Sequence, residues 1–120
     1  MLIFDIVEDI INKLYQVILD RIKNPPPKSY VASLYAGGHA AIARKVLEEA
    51  NEFCEAAAED DADHFVHEAA DLFFHMLVML GAKGIHPDAI GEALARRFGI
   101  GGIEEKEARK TGGGYATGQR

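Results

Sequence analysis

"DHFVHEAADLFFHMLVMLGAKG", residues 63–84, shows most clearly what kind of secondary structure builds this chain. Its apolar residues run on for about six helical turns without the strict alternation of a half-buried strand, so it predicts a helix, from about Ala62 to Ala82. The helix is apolar almost all the way round, and such a helix is normally covered on every side. A chain of 120 residues offers few partners to do this, which predicts a dimer whose helices complete one bundle. Set in this apolar background is a polar seam. At about 100° per residue, Glu68, Asp71 and His75 fall within roughly 60° of one another, with His64 in the same arc. An ionised carboxylate on a buried surface costs several kcal/mol, about, unless a cation compensates it or its pKa shifts. The seam therefore calls for basic partners or a metal ion.

Working outward, residues 59–63, "EDDAD", supply acidic N-cap candidates for this helix, and Lys83-Gly84 closes it. Upstream, a helix from His39 to about Glu59 places Ile42, Val46, Ala50, Phe53 and Ala57 on one side, with "AGG" (36–38) as the break before it. "SYVASLY" (29–35) reads as a shorter helix. "NPPPKSY" (24–30) ends a long amphipathic helix running from Phe4 to Ile22 through Val7, Ile11, Leu14 and Val17 or Ile18, because proline removes backbone donors and holds its predecessor extended. Downstream, Pro87 opens a helix to about Phe98. "IGGIEEKEARK" (100–110) reads as a glycine turn and a short charged segment, and "TGGGYATGQR" (111–120) as a flexible end. The expected architecture is all-α: an antiparallel bundle of four to five helices in one domain over residues 1–111, with a glycine-rich tail at 112–120.

The formal charge of −6 argues against nucleic acid as a partner, since neutralising phosphates needs a basic face. No basic-then-apolar leader is evident, and acids interrupt every apolar run short of the roughly 18 residues of a membrane span, so the expected location is the cytoplasm, with no membrane partner. A single cysteine, Cys54, excludes an internal disulfide and reads as a small core residue.

The helix before the seam carries "KVLEEANE" (45–52), in which Glu48 and Glu52 are i,i+4 neighbours, Glu49 and Glu52 are i,i+3 neighbours, and Glu49 borders the apolar face. Two antiparallel helices would bring this border against the seam, where converging carboxylates make an oxygen-rich site for Mg²⁺ or Mn²⁺. Two other readings stand beside this one. Glu48, Glu52, Glu55 and Glu59 also fit a solvated helix face, and Glu68 with Asp71 also fits a buried salt bridge to Lys45, Arg44 or Arg96. His64 and His75 read as hydrogen-bonded boundary residues more readily than as ligands, and the lack of Cys/His spacing disfavours zinc.

The spacing Glu48-Glu49-x-x-Glu52, then Glu68-x-x-Asp71, resembles the E-x-x-E…E-x-x-D signature of the all-α, MazG-like nucleotide pyrophosphatases. Within that superfamily "SYVASLY", Gly38 before "IARKVLEEANE" (42–52), "HEAADLFFHMLVML" (67–80) and "RRFGIGGIEEKEARK" (96–110) are similar to the phosphoribosyl-ATP pyrophosphatase family of histidine biosynthesis. The resemblance implies Mg²⁺-dependent hydrolysis of the α–β phosphoanhydride of phosphoribosyl-ATP to phosphoribosyl-AMP and pyrophosphate by a homodimer of helical bundles. It further implies Glu48, Glu49, Glu52, Glu68 and Asp71 as metal-binding acids, one of them orienting the attacking water. Lys45, Arg97, Lys106 and Arg109 would meet the substrate's phosphates, with Ser29 and Tyr30 at the entrance and His75 in a supporting hydrogen bond. Gly101 stands where the family usually has serine. A phosphoribosyl-AMP cyclohydrolase for the next step is expected as a separate protein. A housecleaning pyrophosphatase of noncanonical nucleoside triphosphates would share the acids, and a non-catalytic dimerisation module would leave them merely solvated.

Overall fold

The computed structural model describes residues 3–100, with side chains from Ile6 onward. Five helices occupy this span: α1 (Ile3–Lys23), α2 (Tyr30–Ala36), α3 (Gly38–Ala56), α4 (Ala62–Lys83) and α5 (Asp88–Phe98). The described residues contain no strand, so the fold class is all-α as the periodicity predicts. The chain divides into two compact units, Met1–His86 and Pro87–Arg120. The expected charged segment after Gly102, the glycine-rich tail, Gly101, Lys106 and Arg109 lie outside the described residues.

In the first unit α3 and α4 form the most extensive helix pair, joined by a turn of five residues. Their rings and acids pair in descending register, Phe53 stacking on Phe65 with centroids 5.0 Å apart and Glu52 lying against Glu68, so the two helices are antiparallel. α1 packs along α4, and α2 bridges α1, α3 and α4. Local chemistry sets the boundaries. Asp61 caps α4 by accepting from the His64 N–H at 3.1 Å, and Ser29 caps α2 by accepting from the Ala32 N–H at 3.1 Å. At the far end of α4, Gly84 adopts φ 72°, which lets the Ile85 N–H reach the Leu80 carbonyl at 3.0 Å and closes the last turn.

The core consists of Tyr15, Ile18, Val31, Leu34, Ile42, Leu77 and Val78, with Ile11, Leu14, Ile22, Val46 and Phe74 packed against it. Ile18 rather than Val17 is the buried member of α1, and Tyr15, which apolar periodicity passes over, is 2% exposed because its hydroxyl donates to the Ile85 carbonyl at 2.6 Å. α1 and α4 touch closely at Gly81, where a Cβ would lie 3.2 Å from Ile18 Cγ2.

Three expectations need correction. α3 ends at Ala56, one turn before Glu59, and Ala56 rather than Ala57 is buried. Cys54 is exposed and not part of the core. By length and composition alone α4 would reach across a bilayer, which the sequence reading denied; its packing against α1, α2 and α3 instead marks it as the central helix of the unit. It still carries an uncovered apolar stripe, since Val66, Phe73 and Met76 are exposed.

Candidate metal and active site

The turn between α3 and α4 and their antiparallel register place two acidic triads side by side. On α3, Glu48, Glu49 and Glu52 bring one carboxylate oxygen each within 4.8 Å of one another. On α4, a ring nitrogen of His67 and one carboxylate oxygen each of Glu68 and Asp71 lie equally close together. Glu52 links the two triads: its pKa is raised, first by the neighbouring charge of Glu49, then by burial and by Glu68. Glu48, in the same triad, shifts the other way, because the Lys45 ammonium hydrogen-bonds it at 2.7 Å and stabilises its charge. Opposite shifts on neighbouring acids show where cationic charge is present and where it is short.

Two of the acids are buried, Glu49 at 6% exposure and Glu68 at 9%. Each has one oxygen engaged by a basic group. Glu49 Oε2 lies 3.3 Å from Lys45 Nζ, and Glu68 Oε2 lies 3.2 Å from His64 Nε2. His64 also meets Glu59 Oε1 through Nδ1 at 2.9 Å; that hydrogen bond chiefly, with the surrounding acids, raises its pKa. The remaining oxygens, Glu49 Oε1 and Glu68 Oε1, are buried and find no hydrogen-bond partner among the described residues. Buried oxygens are ordinarily paired, and leaving one bare costs about 1–3 kcal/mol, more when it carries charge. Two bare carboxylate oxygens on paired helices, with Glu48, Glu52 and Asp71 in the same two groups, suit a hard divalent cation, which favours oxygen donors.

The salt bridge expected from Glu68 and Asp71 to Lys45, Arg44 or Arg96 is not the pairing among the described residues. Lys45 does pair with an acid, but with Glu48 and Glu49 on its own helix, and the partner of Glu68 is His64. Neither pair satisfies both oxygens of a buried carboxylate. His75 is buried and hydrogen-bonded at both ring nitrogens, Nδ1 to the Asp71 carbonyl and Nε2 to the Tyr30 hydroxyl, each at 2.7 Å. Tyr30 stacks on Phe74 with centroids 6.2 Å apart, and burial raises its pKa. Lys45, Glu48, Glu49 and Asp71 are all close enough to act on its charge, which places the ring beside the acids. Ser29 caps α2, so its oxygen is already in use as an acceptor. Arg97 is exposed on α5, in the second unit. One member of the α4 triad escaped the sequence reading: His67, whose Nε2 lies 3.4 Å from Asp71 Oδ2. Its i,i+4 spacing to Asp71 was the available signal.

Comparison with known proteins now bears on this geometry. The family model for phosphoribosyl-ATP pyrophosphohydrolase matches residues 11–98, which include both triads, Lys45, Tyr30 and His75. The chain belongs to the phosphoribosyl-ATP pyrophosphohydrolase family. Its relatives within that family cover nearly its whole described length. Phosphoribosyl-ATP pyrophosphatase of Geotalea daltonii is 48% identical over 102 residues, 85% of this chain and 96% of that protein. The protein of the same name from Methylococcus capsulatus is 43% identical over 104 residues, 87% of this chain and 99% of its own. The histidine biosynthesis bifunctional protein HisIE of Wolinella succinogenes is 43% identical over 101 residues, 84% of this chain and 44% of that longer protein. The family named by resemblance from the words around the acids is therefore the family to which this chain belongs.

Proposed function

We propose that the chain hydrolyses the α–β phosphoanhydride of phosphoribosyl-ATP, releasing pyrophosphate and phosphoribosyl-AMP, the second step of histidine biosynthesis, with Mg²⁺ as its metal and Mn²⁺ as a substitute. The observation that carries this reading is the pair of bare, buried carboxylate oxygens on Glu49 and Glu68, in a chain whose relatives bear that enzyme's name. Glu48, Glu49, Glu52, Glu68 and Asp71 are the residues to hold the metal. When bound, it supplies charge neutralisation for the leaving pyrophosphate and lowers the pKa of water.

The chain's own groups do the rest. Glu49 and Glu68, fixed by burial and by their bonds to Lys45 and His64, aim their free oxygens inward with little reorganisation. One of Glu49, Glu52, Glu68 and Asp71 orients the attacking water and takes up its proton. Lys45 carries three donor protons, of which Glu48 and Glu49 engage two, and the third is free to meet a phosphate oxygen. Arg97, Lys106 and Arg109 add positive charge for the remaining phosphates. The exposed apolar residues of α1 (Ile6, Ile10, Val17) and of α4 (Val66, Phe73, Met76) support a homodimer that covers both stripes.

Purified protein with Mg²⁺ should release pyrophosphate from phosphoribosyl-ATP far faster than from dATP or ITP. The reverse ranking would favour a housecleaning enzyme, and release from none of the three would leave a non-catalytic helical module.

A further inference from the structure

His67 brings a nitrogen donor to the acidic group of α4, and the reaction as proposed makes no use of it. It stands one helical turn before Asp71 and next to Glu68, and one atom from each of the three lies within 4.8 Å of the others. Two ligands four residues apart on one helix face can reach a single ion, as the two histidines of an H-E-x-x-H helix do. His67 Nε2 lies 3.4 Å from Asp71 Oδ2. That is long for a charge-assisted hydrogen bond, which spans about 2.7–2.9 Å. It matches two ligands of one metal, since atoms each about 2.1 Å from an ion lie about 3.0 Å apart at a right angle and about 3.4 Å apart at a tetrahedral one. Packing does not hold the ring there, because the His67 side chain is 69% exposed. Glu68 gives the independent sign. It is nine-tenths buried, its Oε2 meets His64 at 3.2 Å, and its Oε1 finds no hydrogen-bond partner among the described residues. A buried carboxylate oxygen in that position calls for a cation.

The donor set decides which ion gains most. Two carboxylates with one imidazole differ both from the all-oxygen group of Glu48, Glu49 and Glu52 and from the nitrogen- and sulfur-rich sets of zinc. Mg²⁺, a hard ion, gains little from a ring nitrogen. Mn²⁺ takes carboxylates as Mg²⁺ does and, as a transition metal, binds imidazole as well. We infer that His67 is a ligand of the metal held by Glu68 and Asp71, and that its nitrogen makes the α4 group a mixed site which binds Mn²⁺ more tightly than the Mg²⁺ it replaces. A metal ion displaces a proton from the lone pair it takes, so the inference requires no particular protonation of His67 in the metal-free protein. It rests on the proposed metal-binding role of the acids and adds a ligand to it. The exposure of His67 leaves the outer side of such an ion open to water or to a phosphate oxygen.

Pulsed electron paramagnetic resonance of the protein loaded with Mn²⁺ alone should show the ¹⁴N coupling of a directly bound imidazole. His67→Gln should lose that coupling, and His64→Gln, whose ring also lies close to Glu68, should keep it; the opposite pattern would overturn the assignment. In calorimetric titrations His67→Gln should weaken Mn²⁺ binding about tenfold, the low end of what losing a group that supports a metal costs, and Mg²⁺ binding by less than about twofold. An equal loss for both metals would refute the inference. His67→Lys keeps a cation one turn from Asp71 but offers no ring nitrogen, so it should bind Mn²⁺ as poorly as His67→Gln. Recovery of the wild-type Mn²⁺ affinity in His67→Lys would mean that His67 serves only as the ion-pair partner of Asp71. Because the side chain is largely exposed, the helical circular dichroism of these His67 variants should match wild type. Mn²⁺ binding by wild type without ¹⁴N coupling would sink this inference and leave the five acids as the metal site, whereas no binding of either metal would remove both. Coupling from His67 in a protein that leaves phosphoribosyl-ATP intact would overturn the functional proposal and sustain this one.

Discussion

At the scale of single residues, the acids are distinguished by their second oxygens. Glu49 and Glu68 each keep one oxygen bare in a buried position, a costly arrangement unless a cation arrives. Replacing Glu49 or Glu68 by Gln, or Asp71 by Asn, is expected to lower turnover at least about 100-fold, the order found when a charge-stabilising group is lost, while the helical circular dichroism stays intact. The Mg²⁺-dependent rise in melting temperature should shrink in step, since a ligand stabilises only the fold that binds it. A variant with near-full activity and an unchanged Mg²⁺ response would remove that residue from the metal site. Tyr15 makes a second residue-scale prediction. Burial raises its pKa, so the fold holds that proton more tightly than the unfolded chain does. The resulting stability is present in full below the ordinary tyrosine value of about 10 and is lost as pH climbs through the raised folded value. Tyr15→Phe should therefore flatten the alkaline loss of stability, while costing about 1 kcal/mol at neutral pH because the Ile85 carbonyl loses its donor. Urea titrations at pH 7 and above pH 10 would measure both.

At the scale of elements, one substitution made at two glycines should have opposite effects. Gly81 lies where α4 meets α1, and an added Cβ would sit 3.2 Å from Ile18 Cγ2 and 3.4 Å from Ile22 Cδ1. Ile18 is fully buried and β-branched, so it has little room to move. The overpacking penalty of about 1–3 kcal/mol should exceed the gain of about 1 kcal/mol in helix propensity, making Gly81→Ala a net loss. In α5, a Cβ at Gly91 meets nothing within 4 Å, so Gly91→Ala should strengthen that helix by up to about 1 kcal/mol. Hydrogen exchange of the two helices would read each sign separately. The helices themselves were legible in the sequence because their signals are local. Apolar spacing, the Asp61 and Ser29 caps, the proline run and Gly84 all act within a turn or two of the residues they control. The end of α3 was read one turn too long, as Ala57, Ala58 and Glu59 are all acceptable helix formers and only tertiary packing distinguishes Ala56 from Ala57.

At the scale of the whole molecule, what was least legible is what covers the outward apolar stripes of α1 and α4. Sedimentation equilibrium at micromolar concentration is expected to give twice the 13.1 kDa chain mass, and Phe73→Lys, at the middle of the α4 stripe, should shift the protein toward monomer. A stable wild-type monomer would overturn the dimer proposal.

Read alone, the amino-acid sequence yields the all-α class and, apart from the end of α3, the places where the helices start and stop. These follow from periodicity and spacing, which a one-dimensional string preserves. The tertiary structure alone decided that Lys45 clamps Glu48 and Glu49, that His64 rather than a lysine or arginine meets Glu68, and that His67 joins the acids of α4. It also showed which two carboxylate oxygens are bare and that the His75 ring joins Tyr30 to the Asp71 carbonyl. The ion pairs are local, each within one helix, but which acids they leave buried and which ring meets Tyr30 depend on how α2, α3 and α4 pack together. That burial is set by packing between residues far apart in the chain, where rotating a helix by one residue, about 100°, would turn other side chains inward.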